Sequence, residues 1–590
     1  MTADAWITLA VLATMVLLMA RNVLPPAVAI LGAVVVLFLL NVIDSRDAFA
    51  GFSNPAPLTI AALYILAGAA ARTGSVRRLV DKTLPSDVGD HKALVRLLPP
   101  VLLSSAFLNN TPIVALLAPE LVSWARRRGR AVSVLLMPVS FAAILGGIVT
   151  LIGTSTTLVV SGLLEESGAD PLSFFEVTPI GLPLALAGLA VLLLLAPSVL
   201  PTRQAAADIS EEAMREFIID MTVDLGGHID GKSVEAGGLR NLTGVFLVQV
   251  HRDGSSIEPV GPKLILEGGD RLRFVGRADE VLDLHAISGL SSAVSDQFTG
   301  FDLNRSAFVE VVVGNTSPIT GRTLKEARFR STYQGAVVAI HRAGQRVHEK
   351  LGDVTIRTGD TLIVLSDAGF KDRWRNRGDF LLIAEVADSP VPPGDSAALL
   401  PLAVLGGVVV IAASGVMPIL KASLLGVLVV LGLKLITASQ ARDSINLDVV
   451  LVVAGGFGLA AAMTNSGLAD RAAAAISSSL GSLGAVGVLA GLVALTVLLT
   501  EVVSNTAAAV MVYPVAISSA VALGADPRSF AIAIAIAASA SFLTPVGYQT
   551  NTMVYGPGGY RYGDYARLGA PITVIMIVGI PMLTALTGGV

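Results

Sequence analysis

Long uncharged apolar runs fill both ends of this chain, and a polar segment separates them. Residues 1–202 and 397–590 read as successive apolar stretches, while residues 203–396 carry Asp, Glu, Lys and Arg throughout. A bilayer crossing takes about 20 apolar residues, so the pattern predicts six spans before residue 203 and about five after residue 396. The middle segment alternates short β-branched runs with Gly-Asp turns, as in Phe217-Ile218-Ile219, Val245 to Val250, Leu272-Arg273-Phe274-Val275 and Phe308 to Val313. That alternation predicts small α+β modules. The expected fold is a polytopic α-helical membrane protein with a polar insertion.

Two polar motifs interrupt the apolar runs, one in each half, and each has a partner at nearly the same distance. The first is Asn109-Asn110-Thr111, followed by Gly153-Thr154-Ser155-Thr156-Thr157; the second is Ser504-Asn505-Thr506, followed by Gly547-Tyr548-Gln549-Thr550-Asn551. Thr111 to Gly153 is 42 positions, and Thr506 to Gly547 is 41. Amides and hydroxyls are costly in hydrocarbon unless something uses them. A duplicated pair of this kind reads as a divided binding site.

Loop charges orient the halves, because Lys and Arg near span ends mark the cytoplasmic side. Arg72, Arg77, Arg78, Lys82, Lys92 and Arg96 precede the first motif, and Arg126, Arg127, Arg128 and Arg130 follow it. Both flanks of 97–125 are then cytoplasmic. At about 1.5 Å per helical residue the stretch is too short for two full spans, which predicts a re-entrant hairpin with Asn109-Asn110-Thr111-Pro112 at its tip and Pro112 favouring the break. The second motif is flanked only by Arg471 and Arg528, so its hairpin enters from outside. The 163–177 loop, with Glu165, Glu166, Asp170 and Glu176, reads as external; Arg561 and Arg567 read as internal. The N-terminus is external, 203–396 cytoplasmic and the C-terminus external. The first span, Ala5 to Ala20, lacks a basic n-region and is a retained helix. Halves of opposite orientation with broken helices form the architecture of secondary transporters.

The residues around the motifs limit the chemistry. Glycine and proline in the second interruptions, Thr150 to Ser155 and Thr544 to Gln549, free backbone carbonyls that suit hard cations such as Na⁺. Half-helix N-termini suit an anion. No Lys or Arg occurs in 97–125, 131–163, 485–520 or 529–560. An anion bound there depends on helix dipoles and co-bound cations. The chain has no cysteine, which excludes disulfides and Cys-ligated metals. Five of its histidines (His228, His251, His285, His341 and His348) lie in the polar segment and His91 lies near a loop, so none serves a membrane core. There is no cofactor fingerprint and no nucleophile–base constellation; an enzyme and a nucleic-acid partner are not expected.

The middle segment repeats at an offset of 90. Gly231-Lys232-Ser233-Val234 matches Gly321-Arg322-Thr323-Leu324, His251-Arg252-Asp253-Gly254 matches His341-Arg342-Ala343-Gly344, and Gly269-Asp270-Arg271-Leu272 matches Gly359-Asp360-Thr361-Leu362. These blocks resemble the TrkA-C domain, the C-terminal lobe of the regulator of potassium conductance (RCK), over most of 213–284 and 303–374. The glycine-rich dinucleotide fingerprint is absent. Arg252 and Arg342 are either contacts for an anionic effector or solvated surface arginines.

The paired tips in inverted halves resemble the divalent anion–sodium symporter family of the ion transporter superfamily, over roughly 1–202 and 397–590. The insertion resembles its Sac1-like branch, often associated with sulfate. The resemblance implies four parts: a first transmembrane repeat at 1–202, TrkA-C-like domains at 207–295 and 296–385, and a second repeat at 397–590. It implies one sodium with Ser105, Asn109, Asn110 and the backbone near Gly153, and another with Thr500, Ser504, Asn505 and the backbone near Gly547. Substrate oxygens would meet Asn110, Thr111, Asn505 and Thr506, with Thr154, Ser155 and Tyr548 beside them. Two departures stand out: Asn109 replaces the motif serine, and Thr157 stands opposite Asn551. Glu501, four residues before Asn505, shares its helical face and is either a coupling carboxylate or a structural one bonded to the hairpin backbone. The implied activity is sodium-coupled symport of a small divalent anion, sulfate first and a dicarboxylate second, by a homodimer in a bacterial inner membrane, with an unidentified effector on the TrkA-C-like pair. A gated ion channel and a transporter-derived sensor are the readings from other classes.

Overall fold

The computed structural model describes residues 2–21, 23–71, 89–126, 130–202 and 400–588, together with the strands and turns of 218–385 given below. Arg72, Arg77, Arg78, Lys82, Arg127 and Arg128, which frame the first tip in sequence, lie outside the described residues, as do His285 and His348. The chain forms two compact units, one of residues 1–204 with 391–590 and one of residues 205–390.

The first unit is helical and repeats its own succession of elements. Its first series is α1 (Ala3–Ala20), α2 (Pro26–Leu39), α3 (Ser45–Phe49), α4 (Pro55–Ala71), α5 (Asp90–Ser105), α6 (Asn110–Arg126), α7 (Ser133–Gly147), α8 (Ser155–Glu166) and α9 (Thr178–Val199). The second is α10 (Leu400–Ala413), α11 (Ile419–Gly432), α12 (Ala438–Ser444), α13 (Leu447–Asn465), α14 (Leu468–Leu480), α15 (Gly484–Thr500), α16 (Asn505–Leu523), α17 (Pro527–Ala538), α18 (Gln549–Tyr555) and α19 (Tyr562–Leu586). Corresponding helices start at nearly constant offsets: 393 positions from Pro26 to Ile419 and 395 from Asn110 to Asn505.

Local chemistry repeats with the helices. Pro25 and Pro418, both in an extended conformation, precede α2 and α11, where a fixed φ suits a helix start. Asp44 caps α3 through the Asp47 amide, and Thr437 caps α12 in a box with Gln440. Among the described residues, seven helical segments are long and apolar enough to cross a membrane, and further apolar helices of 10–17 residues accompany them. The unit is a multi-pass membrane domain. Every residue of α7 is buried, as befits a helix apolar all round at a centre. From there Phe141 meets Phe542, with ring centroids 5.2 Å apart, so the halves share one core.

The second unit holds two five-stranded antiparallel sheets. The first joins β1 (Ile218–Val223), β2 (Val245–Arg252), β3 (Ser255–Ile257), β4 (Arg271–Gly276) and β5 (Leu290–Ser292) in the order β3-β2-β4-β1-β5. The second joins β6 (Ser306–Val313), β7 (Gly335–Arg342), β8 (Gln345–Arg346), β9 (Thr361–Asp367) and β10 (Phe380–Glu385) in the order β10-β6-β9-β7-β8. Read from opposite ends, the two orders are the same. The irregularity between Leu247 and Gln249 recurs between Val337 and Ala339.

The matched arginines take a role that neither expectation named. Arg252 Nε and Nη2 bond the Asp270 carboxylate at 2.7 and 2.6 Å, and Nη2 reaches the Ile265 carbonyl at 2.7 Å. Arg342 does the same with Asp360, at 2.8 and 2.7 Å, and with the Thr355 carbonyl at 2.8 Å. Both aspartates are buried. A bidentate pair with a buried carboxylate holds a turn to a strand, so both guanidiniums support the local fold and are not simply solvated.

Candidate functional site

The two tips are built alike. α5 ends at Ser105 and α6 begins at Asn110, while α15 ends at Thr500 and α16 begins at Asn505. Asn109 precedes α6 and its Oδ1 accepts the Thr111 amide at 3.4 Å; Ser504 caps α16 through the Ala507 amide at 3.4 Å. Asn and Ser serve about equally as N-caps, which accounts for the exchange at these positions. The turn of the first tip is 106–109, three positions earlier than the expected 109–112. Asn110, Thr111 and Pro112 are already helical. Pro112 sits in the first turn, where a missing N–H removes no helical bond, so it opens α6 and does not break the chain.

Behind each tip, the last residue of one helix meets the first of the next. Ser105 Oγ lies 2.7 Å from Asn110 Oδ1, and Thr500 Oγ1 lies 3.0 Å from Asn505 Oδ1. Matched against its protein neighbours alone, the Asn110 amide takes one sense. With oxygen and nitrogen exchanged, Nδ2 donates to Ser105 Oγ at 2.7 Å, Ala143 O at 3.0 Å and Gly153 O at 3.2 Å, and the oxygen accepts from the Tyr548 hydroxyl at 3.0 Å. Asn505 is less well matched. The single Thr500 hydroxyl proton is shared between Asn505 Oδ1 and the Ala538 carbonyl, 2.7 Å away; with Oδ1 on Thr500, Asn505 Nδ2, in a residue only 5% exposed, has no protein partner.

The second interruptions fall where the spacing places them, at 148–154 between α7 and α8 and at 539–548 between α17 and α18. Thr150 Oγ1 donates to the Ala106 carbonyl and Thr544 Oγ1 to the Glu501 carbonyl, so the same tether ties break to tip in both halves. Glycine is required by close approach. A Cβ on Gly153 would lie 2.5 Å from the Gly147 carbonyl oxygen and 2.9 Å from that of Ser105; one on Gly147 would lie 2.6 Å from Asn110 Oδ1. A Cβ on Gly547 would meet Ser541 Oγ at 2.1 Å and Glu501 Oε2 at 2.9 Å. The second asymmetry in the sequence resolves like the first. Thr157 Oγ1 bonds the Leu151 and Thr154 carbonyls at 2.6 and 2.8 Å, and Asn551 Nδ2 bonds those of Ser541 and Thr544 at 3.0 and 3.2 Å. Both side chains are spent on the carbonyls of their own break.

Glu501 is bonded to the backbone of the second break. Oε1 accepts the Phe542 and Leu543 amides at 2.8 Å each, and Oε2 accepts that of Thr544 at 2.9 Å. Three backbone donors freed by the break converge on one carboxylate.

The halves meet crosswise. Thr111 of the first tip approaches Gln549 of the second break, at 3.5 Å, and Thr506 of the second tip approaches Ser155 of the first break, at 3.4 Å. Thr111 corresponds to Thr506, and Ser155 to Gln549, so one contact is the image of the other. Reciprocal contacts of this kind are what a two-fold relation produces. Ser140 Oγ lies 2.9 Å from Thr550 Oγ1 and 2.7 Å from Asn551 Oδ1 across the same boundary, and Thr156 bonds Ser539. Ser105, Asn110, Thr154, Thr500, Asn505 and Thr506 are buried here, with Thr111, Ser155 and Tyr548 half-buried. Asn109 and Ser155 also border a recess beside Tyr64. Sequence reasoning missed Gly147, Thr150, Thr544 and Ser140. The threonine pair had a signal: Ala106 to Thr150 is 44 positions and Glu501 to Thr544 is 43.

A duplicated bundle of apolar helices, with paired breaks meeting at its centre and oxygen and amide groups gathered there, defines a membrane transporter. The chain belongs to the citrate transporter family (CitMHS), whose profile matches residues 15–535; it is a family of transporters and not of enzymes. The chain is 34% identical to a proposed sulfur deprivation response regulator of Chlamydomonas reinhardtii, over 96% of this chain and 98% of that protein. It is 33% identical to an uncharacterized transporter of Synechocystis, over 99% and 97%. Sodium/sulfate cotransporter 1 of Chlamydomonas reinhardtii is 26% identical, over 91% of this chain and 84% of that protein.

Proposed function

We propose that this protein is a sodium-coupled symporter of a small divalent oxyanion, with sulfate as the first substrate, working by alternating access about the two tips. The crosswise contacts of Thr111 with Gln549 and of Thr506 with Ser155 carry this reading, because they bring both polar motifs to one place between two halves related as mates. Such a seam can open on either side by rocking one half against the other. The donors fit the cargo. Around each tip they are hydroxyls, one amide and backbone carbonyls, the oxygen set that suits a hard cation. No Lys or Arg stands in the segments that form the site. An anion there is balanced by co-bound cations and the helix N-termini of α6 and α16, which makes sodium coupling a physical requirement of the seat. One sodium rests at Ser105, Asn109, Asn110 and Gly153, with the Asn110 oxygen turned to the Ser105 side and its Nδ2 to the Tyr548 hydroxyl; the other rests at Thr500, Ser504, Asn505 and Gly547. Thr111, Thr506 and the Asn505 amide face the anion.

The similarity to a sodium/sulfate cotransporter supports the choice of ion and substrate. A dicarboxylate is the second reading, favoured by the family's description as citrate transporters. The tips are re-entrant hairpins entering from opposite sides, and the tandem sheets of 218–292 and 306–385 are cytoplasmic TrkA-C-like regulatory domains. Uptake of labelled sulfate into proteoliposomes tests the coupling. It should require an inward sodium gradient, and uptake unchanged when choline replaces sodium would remove sodium from the mechanism.

A further inference from the structure

The two breaks are alike in backbone and unlike in one side chain. Thr154 caps α8 with φ −138° and ψ 153°; Tyr548 caps α18 with φ −141° and ψ 143°. They occupy the same place in the two halves, each directly after the close-packed glycine, Gly153 or Gly547. The phenol of Tyr548 reaches across the seam and bonds the amide of Asn110 at 3.0 Å. Thr154 is too short for the matching reach. Its hydroxyl lies 3.2 Å from Thr156 Oγ1 and also meets the Tyr548 hydroxyl, and the buried amide nitrogen of Asn505 has no protein partner. Ser541, which corresponds to Gly147, likewise holds a buried hydroxyl without a protein partner.

We propose that Tyr548 sets the size of the transported anion. Its ring and hydroxyl cross the seam and fill, on the Asn110 side, a volume that a threonine at this position, as at Thr154, would leave unfilled. The seat between the tips is therefore lopsided. Asn110 is taken up by its own tip and by Tyr548, and Asn505 keeps an amide nitrogen for a ligand. A compact oxyanion presents its oxygens within one small volume and is served by one amide, the Thr506 hydroxyl and the adjacent helix N-terminus. A dicarboxylate separates its charges along a chain and needs a receptive group at each end; the first end is occupied by Tyr548. This inference rests on the symporter reading above and supplies it with a residue that prefers sulfate to succinate.

The test uses the full-length protein in proteoliposomes with an inward sodium gradient, and compares kcat/KM for sulfate and for succinate. Tyr548→Thr makes the second break match the first and should raise the succinate-to-sulfate ratio at least about tenfold, chiefly through a lower KM for succinate. Tyr548→Phe keeps the ring, leaves Asn110 without its hydroxyl partner and should depress uptake of both anions in parallel, leaving the ratio within about threefold of wild type. A ratio unmoved in a monodisperse Tyr548→Thr protein overturns the inference, as does a shift equally large in Tyr548→Phe, which would place selection in the hydroxyl instead of the filled space. Should Tyr548→Thr not fold, Tyr548→Leu shortens the side chain while keeping it apolar and is read against the same ratio. Wild-type protein that carries succinate in preference to sulfate overturns this inference and leaves sodium-coupled anion symport standing. Wild-type protein that carries neither anion with sodium defeats the symporter reading itself.

Discussion

The Glu501 carboxylate accepts the backbone amide proton of Thr544 at 2.9 Å, and the Thr544 hydroxyl returns a hydrogen bond to the Glu501 carbonyl at 3.3 Å. This exchange fastens the second tip to the second break. With the Phe542 and Leu543 amides on its other oxygen, the carboxylate takes up three donors that a broken helix leaves in a low-dielectric interior. Glu501→Gln offers one acceptor oxygen and turns an NH₂ group toward at least one of those amides. Leaving a buried donor unmet costs about 1–3 kcal/mol, so the thermal midpoint of the solubilised protein should fall and uptake should fall with it. A variant with an unchanged midpoint whose uptake no longer varies with pH would return Glu501 to a proton-coupling role.

The tips should respond unequally to loss of their amides. Asn110 bonds Ser105, Ala143, Gly153 and Tyr548, whereas Asn505 has one side-chain partner, Thr500. Asn110→Ala strands several buried groups at once and should cost roughly 2–4 kcal/mol, from the penalty of about 1–3 kcal/mol for each unmet group. Asn505→Ala should cost much less stability and yet abolish uptake. Unfolding curves beside transport assays on both variants check the contrast; near-normal uptake by Asn505→Ala would take that residue out of the site.

Much of this centre was legible in the chain. The 42- and 41-residue spacings located the first break to within two residues and the second to within five at its start, because polar residues flank the glycine in both. The helix succession followed from segment length. The exact turn did not, since Pro112 is as compatible with a first helical turn as with a break. The Asn109 and Ser504 exchange looked like a defect in a ligand set because capping by either residue leaves no mark in the sequence beyond their identity. Arg252 and Arg342 were visible as repeated arginines, but their buried partners, Asp270 and Asp360, lie 18 positions on and are reached only through the strand pairing. The crosswise meeting of Thr111 with Gln549 spans 438 positions, and no local pattern announces a contact of that range.

Close packing at the first break gives a steric prediction. A methyl group on Gly153 would meet backbone oxygens at 2.5 and 2.9 Å, and backbone cannot swing aside as a side chain can. Overpacking of this kind typically costs 1–3 kcal/mol, here at the residues that hold the tip to the break. Gly153→Ala should impair uptake several-fold or more, with a lowered thermal midpoint. Gly32→Ala, in α2 with nothing within 4 Å of the added carbon, should leave both within error. Equal behaviour of the two variants would show that the break has more room than its geometry gives.

A last relationship lies at the edge of the seam, where Glu176 in the loop before α9 pairs with Arg528 at the start of α17. Arg528 Nη2 bonds Glu176 Oε2 at 2.8 Å, and the guanidinium also reaches the Asp170 and Pro171 carbonyls at 2.7 and 3.0 Å. The hydrogen bond from Arg528, followed by the Ser173 amide, holds the Glu176 carboxyl below the usual glutamate range against the opposing effect of burial. A carboxyl lowered by folding contributes stability above its unfolded pKa, about 4.3, and loses it as pH falls through the lower folded value. The pair is partly exposed, with side chains 31% and 23% accessible, so solvent screening limits the contribution to about 1 kcal/mol. Glu176→Gln should lower the thermal midpoint at pH 7 by a small, measurable amount. The gap from wild type should begin to narrow as pH falls below about 4.3 and should close once pH passes the lowered folded value, where the native carboxyl also takes up its proton. A double-mutant cycle with Arg528→Gln at pH 7 should recover a coupling of the same size. A gap that persisted undiminished at pH 3 would mean that Glu176 acts through packing and not through its charge.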